Sequence, residues 1–290
     1  MMRMDRLISV NLMLPAIRLG LVPSRGRLPI LMYHSISAEP EPHLGHYFKL
    51  NTPPELFANH LRLLKEQGFT TVGLKEAAAL ATGETPASDK PAVVITFDDG
   101  FKDFLEYAWP ALQIHGFTAS MFLPTRFIGK QTLSFKGKPC LTWDEVRDLR
   151  RKGISFGSHT ASHPELPTLS WTEIESELRE SRDAMQTELN ETVDEFCHPY
   201  AFPHVRRDYV EGLEQRLSAI GYTSGVTTRL GRVKRGDRPL VMPRLPANSS
   251  DDLPLLSAKL AGAYDWLGTH QTLWKRLRSS MPSSTPARSN

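Results

Sequence analysis

The chain has 290 residues, enough for one large domain or two small ones, and its 40% apolar share suffices for a buried core. A formal net charge of +3, from basic residues scattered apart from clusters at the two ends, is too small to argue for nucleic acid as a partner. Cys140 and Cys197 allow at most one disulfide and form no CxxC pair, which excludes a disulfide framework and leaves the redox compartment open.

The first residues, MMRMDR, are weakly basic, and LISVNLMLPAIRLGLV follows. Asn11, Pro15 and Arg18 interrupt the apolar run, so it is a poor secretory signal and too short for a membrane span. At helical spacing Leu7, Val10, Leu14, Ile17 and Leu21 share one face. Residues 1–27 are therefore expected to form a helical segment packed on the domain or skimming a membrane, in a cytoplasmic or peripherally membrane-associated protein.

From residue 28, strand-like runs alternate with helical ones. LPILMYHS reads as a buried strand. Thr52, Pro53, Pro54 and Glu55 have capping-box spacing and open a helix that stops at Gly68. FTTVGL, the helix KEAAALATG and the strand PAVVITF follow, then the helix FLEYAWPALQIHG, in which Pro110 predicts a kink or the true start. TASMFLPT is a strand. Thr142 with Glu145 and Ser170 with Glu173 are two further capping boxes, and the strand ISFGSH lies between their helices. DEFCHPY, the helix DYVEGLEQRLSAIG, the strand YTSGVT, the extended RPLVMPRLPA and a helix within DDLPLLSAKLAGAYDWLG complete the order. Repeated β-then-α units imply a parallel sheet, and their number implies barrel closure. The domain is expected over residues 28–268, with a basic, disordered tail over 269–290 containing Lys275, Arg276 and Arg278.

No Gly-rich phosphate loop follows any strand. Instead, four polar groups stand at strand ends, where active groups gather in a parallel α/β barrel: Tyr33-His34, Asp98-Asp99, His159 with His163, and His198-Pro199-Tyr200. Two adjacent carboxylates repel and are costly to bury, so a compensating cation is expected. His159 and His163, four apart, can meet one ion. Two imidazoles and one carboxylate form a three-ligand site with open positions. One aspartate would ligate and the other would act as general base on water at the ion.

TFDDG, SHTASH and HPYAFP, in that order, together with MFLPTRFIG and LTWDEVRDLRRKGISFGSH, resemble the polysaccharide deacetylases of carbohydrate esterase family 4, the NodB-homology domains, over roughly residues 28–247. The resemblance implies a distorted (β/α)7-type barrel. It implies Asp98 as base, Asp99, His159 and His163 as metal ligands, zinc as the usual ion with cobalt or nickel as substitutes, and Tyr200 lending a backbone N–H to the oxyanion on a turn shaped by Pro199. The expected reaction is removal of N-acetyl groups from amino sugars of a bacterial glycan, with the metal's water as nucleophile. Two features depart from the pattern. Cys197 stands where the third motif has Arg, and Ala201 where Gly is usual; Arg244 in VMPRLPA is the candidate substitute for the Arg. The late Leu-x-His acid is missing, His270 fits it poorly, and His34 on the first strand is the expected acid, as in the permuted poly-N-acetylglucosamine deacetylases, with His198 as runner-up. Tyr33 and Tyr200 are the aromatic residues expected to touch substrate, beside Pro199 and His198. An amidase acting on a small non-sugar amide and a catalytically dead glycan-binding barrel are the alternatives.

Overall fold

The computed structural model describes residues 3–268 apart from Arg25, Tyr47 and residues 87–89. The tail from residue 269, with His270 and the Lys275, Arg276 and Arg278 cluster, lies outside the described residues.

Seven parallel strands close into a barrel in chain order: β1 (Ile30–Tyr33), β2 (Ala92–Phe97), β3 (Ser120–Leu123), β4 (Ser155–Ser158), β5 (Glu195–Cys197), β6 (Ser224–Leu230) and β7 (Met242–Pro246). β1 lies beside β2 with Ile30 opposite Val94 and Tyr33 opposite Phe97, and β7 returns to β1 with Leu245 opposite Leu31. This is the expected (β/α)7 barrel. Thr70–Thr71 pairs with the first residues of β2 as a short extra strand.

Successive strand residues face opposite sides, so each strand contributes to two layers. Leu31, Tyr33, Val93, Ile95, Phe97, Met121 and Leu123 pack outward against helices, including Phe57 and Leu61 of α1 (Pro54–Glu66). Ile30, Val94, Phe122, Cys197, Val226 and Met242 form an inner set that α2 (Leu74–Thr82) covers with Leu74, Ala77, Leu80 and Ala81. The outer layer continues with α3 (Trp109–His115), α4 (Trp143–Arg151), α5 (Trp171–Leu189), α6 (Arg207–Ile220) and α7 (Leu253–Ala261).

Both later capping boxes form: Thr142 with Glu145 opens α4 and Ser170 with Glu173 opens α5. The Thr52 box does not. Thr52 pairs alongside Ile36 and its hydroxyl donates to the Ala247 carbonyl at 3.3 Å, so α1 starts behind Pro53 without a side-chain cap. Pro110 is the second residue of α3, preceded by a wider helical turn over Phe104–Ala108 that absorbs its missing N–H.

The N-terminal segment is helical over Met4–Ile8 and Leu14–Arg18, joined by a wider turn at Ser9–Met13. Leu14 packs with Ala258 and Ala263, and Arg6 pairs with Asp252 at the start of α7 at 2.6 Å. Leu21 does not share the packed face: the helix ends at Arg18, Gly20 turns the chain at φ 75°, and Leu21 emerges exposed together with Leu12 and Leu19. Among the described residues no helix is long and apolar enough to cross a membrane.

Candidate active site

The alternation that builds the core also builds the site. One residue beyond Tyr33 and Phe97, which face the helices, His34 and Asp98 turn to the barrel interior at the C-terminal ends of β1 and β2. His159 just after β4, Cys197 in β5 and Arg244 in β7 join them there. Asp98, Asp99, His159, His163, Cys197 and Arg244 are all buried.

Arg244 spans the barrel interior. Nη1 donates to Asp98 Oδ1 and Nη2 to Asp98 Oδ2, both at 2.7 Å, a two-point fork. Its remaining donors are also used: Nη2 to Cys197 Sγ at 3.1 Å, Nη1 to Thr96 Oγ1 at 3.1 Å and Nε to the Thr227 carbonyl at 3.1 Å. Cys197 leaves room beside Asp98, and the guanidinium arriving from β7 fills it. Burial pushes the Asp98 carboxyl up, but the Arg244 charge and its hydrogen bonds outweigh that and hold it at about 2. Burial also pushes the Cys197 thiol well up, so the sulfur is a neutral neighbour.

Asp99 is fully buried and turns away from Asp98 through a left-handed backbone, φ 72°, continued by Gly100 at φ 65°. A side chain on Gly100 would meet Leu123 at 2.9 Å as well as the strained φ. Asp99 Oδ1 lies 3.7 Å from His159 Nε2 and 3.3 Å from His163 Nε2, and it has no hydrogen-bond partner among the described residues. His159 Nδ1 is 2.9 Å from the Cys197 carbonyl, which can only accept, so the proton sits on Nδ1 and the Nε2 lone pair faces Asp99. One atom from each of Asp99, His159 and His163 lies within 4.8 Å of the others. Burial acts against the Asp99 charge, yet the two imidazoles, His34 and Lys136 hold its carboxyl well below the usual range. His159 is brought down to about 3 by burial and by His163. Two imidazole nitrogens facing a buried carboxylate oxygen that has no hydrogen-bond partner among the described residues fit a divalent cation, and two nitrogens with one oxygen suit a transition metal. A second triad, Asp98, His159 and Cys197, is also close, but Arg244 already occupies both Asp98 oxygens and the thiol is protonated.

His163 is carried by a loop held from α5. Glu177 accepts from the Ala161 and Ser162 N–H groups at 3.0 and 2.8 Å and from the Ser162 hydroxyl at 2.7 Å. Thr160 and His163 take left-handed backbones, φ 67° and 58°, which that anchoring sustains. His34 sits nearer the surface, 18% exposed, with Nε2 at 3.8 Å from Asp98 Oδ2; burial lowers its pKa against the pull of Asp98 and Asp99. Tyr200, at φ 56°, lays its half-exposed ring edge-on to His163 with centroids 4.6 Å apart, and its carbonyl accepts from Thr228 Oγ1 at 3.0 Å.

Two expected substrate contacts lie elsewhere. Tyr33 is fully buried on the outer face, stacked on Phe97, with its hydroxyl bonded to His60 Nδ1 at 3.0 Å. His198 is fully buried against Phe202 and its Nε2 pairs with the Tyr209 hydroxyl at 3.0 Å, so it neither reaches the carboxylates nor meets solvent. Pro199 is buried between His198 and Tyr200. Lys136, unmarked in the sequence, reaches Asp99 Oδ2 with Nζ at 3.1 Å. Its approach is set by contacts distant in sequence, the Phe101–Cys140 bridge and the Leu141 N–H to Gly100 carbonyl bond at 2.9 Å, and no local pattern signals them.

The family described as polysaccharide deacetylase matches residues 85–224. YxkH of Bacillus subtilis (strain 168), a protein named after the same family, is 31% identical over 238 residues, covering 82% of this chain and 76% of that one. Among solved structures, the Streptococcus pyogenes deacetylase PplD, in complex with acetate, superposes with a TM-score of 0.68 at 26% identity over 81% of this chain and 98% of its own. IcaB from Ammonifex degensii gives a TM-score of 0.68 at 19% identity over 81% of this chain and 97% of its own, a likeness of fold.

Proposed function

The chain belongs to the polysaccharide deacetylase family, carbohydrate esterase family 4, and on that premise we propose that it is a divalent-metal-dependent hydrolase removing acetyl groups from N-acetylated amino sugars of a bacterial glycan. The observation that carries the metal is Asp99 Oδ1, buried without a hydrogen bond among the described residues and faced by the Nε2 atoms of His159 and His163. Such an atom is costly to leave unpaired, and an ion ligated by these three groups removes the cost. Zinc is the ion such a donor set favours, and cobalt or nickel can use the same donors. When bound, the ion polarises the acetyl carbonyl and acidifies water.

The chain's own groups then divide the proton transfers. Asp98 stays ionised, is oriented by the Arg244 fork, and accepts the proton of the attacking water. The Tyr200 backbone, which Thr228 holds through the carbonyl that follows, offers its N–H to the oxyanion. His34 hands a proton from Nε2 to the departing sugar nitrogen, and the lowered pKa makes its imidazolium a stronger acid. The products are acetate and a free amine. Although Cys197 and Ala201 depart from the usual pattern, Arg244 bonded to both Asp98 oxygens favours an active enzyme over a silent glycan-binding barrel. The test is acetate release from N-acetylglucosamine oligomers compared with small non-sugar amides; turnover confined to the small amides would overturn the substrate assignment.

A further inference from the structure

The two oxygens of Asp99 have different surroundings. Oδ1 faces the two imidazoles and has no hydrogen bond among the described residues, whereas Oδ2 accepts from Lys136 Nζ at 3.1 Å. A carboxylate can give one oxygen or both to an ion. We propose that Lys136 is a positioning residue that reserves Asp99 Oδ2 for itself, so that Asp99 ligates through Oδ1 alone and one position at the ion stays open for substrate. The inference rests on the metal reading of the site.

Several features show that this ammonium is held in place. Lys136 and Gly137 form a two-residue turn with successive left-handed backbones, φ 50° and 77°, between the paired segments Ser134–Phe135 and Lys138–Pro139. Lysine is an unusual first residue for such a turn, where Asn, Asp or Gly is favoured. The hairpin is fastened to the carboxylate turn by the Leu141 N–H to Gly100 carbonyl bond and by the Lys102 N–H to Pro139 carbonyl bond, each 2.9 Å. Nζ lies 4.7 Å from the centre of the Phe135 ring and 5.5 Å from that of Tyr200, whose π faces favour a cation between them. A lysine without a role at the carboxylate would extend its flexible stem into water; this one is 30% exposed and points inward. Hydrogen bonds to a ligating carboxylate fix how it binds, which is the part assigned to Lys136.

The test is the visible absorption of the protein reconstituted with cobalt(II), whose band intensity falls as coordination number rises. Wild type, Lys136→Met, Lys136→Gly and Lys136→Arg are compared, alongside His163→Ala. Lys136→Gly suits φ 50° and keeps the hairpin foldable if Lys136→Met does not. The expected result is weaker bands in the Met and Gly variants, where Asp99 is free to give both oxygens, and wild-type bands in the Arg variant, which still donates to Oδ2. Unchanged bands in the Met and Gly variants, or loss of cobalt from either folded variant, would overturn the proposal for Lys136. Failure of wild type to bind cobalt, or equal binding by His163→Ala, would instead overturn the metal reading.

Discussion

Arg244→Lys keeps a positive charge in the barrel but removes the fork that grips both oxygens of Asp98. In the folded protein Asp98 is held at about 2 against an ordinary 3.8, a net preference for the ionised form of about 2–3 kcal/mol. Burial opposes this preference, and the Arg244 charge and hydrogen bonds are the largest of the interactions that overcome it, ahead of His159 and His34. A lysine makes a point contact, so Asp98 is expected to rise toward or above its ordinary value and to lose its fixed orientation. Since a positioned general base contributes about 10²–10⁴-fold, kcat/KM for acetate release should fall at least ~10²-fold in Arg244→Lys. Asp98→Asn should fall further, and Arg244→Lys combined with Asp98→Asn should be no slower than Asp98→Asn alone, because the two act as one unit. Urea unfolding of each variant checks that the fold survives. Multiplying losses in the double variant would refute the argument, since Arg244 would then not act through Asp98.

His34→Ala should lower kcat by ~10²-fold or more while zinc content stays at the wild-type level, and wild-type turnover would remove His34 from the acid role. Tyr33→Phe tests the opposite assignment: with His60 Nε2 engaged by the Asp251 carbonyl, loss of the Tyr33 hydroxyl leaves His60 Nδ1 unpaired and should cost about 1–3 kcal/mol of stability, with kcat/KM unchanged; a kinetic loss at unchanged stability would return Tyr33 to the substrate. Asp98 binds its proton more weakly folded than unfolded, so its contribution of about 2 kcal/mol is present above pH 4 and lost as pH falls from about 4 to 2. Metal-free Asp98→Asn should therefore lose less stability than wild type over that interval, and parallel curves would contradict the value assigned to Asp98.

What could be read from the chain and what could not follow from the range of the interactions. Asp98, Asp99, His159 and His163 announce themselves because strand-end carboxylates and paired imidazoles are local patterns. The alternation of β1 was equally legible, since if Asp98 follows an outward Phe97, His34 must follow an outward Tyr33; counting along the strand would have sent Tyr33 to the helix layer. His198 could not be placed that way, because its partner Tyr209 sits on α6. Arg244 is 146 residues from Asp98, and only barrel closure between β7 and β1 brings it into the interior. Lys136 depends on a hairpin fastened to the Asp99–Gly100 turn, a contact no periodicity encodes.

The central claim is that Asp99, His159 and His163 hold an ion that deacetylation requires. The direct measurement is acetate release from N-acetylglucosamine oligomers by metal-stripped protein, before and after addition of one equivalent of zinc, in wild type and His163→Ala. The account predicts no release from stripped wild type, recovery with zinc, and no recovery in His163→Ala; undiminished release by the stripped protein would contradict it.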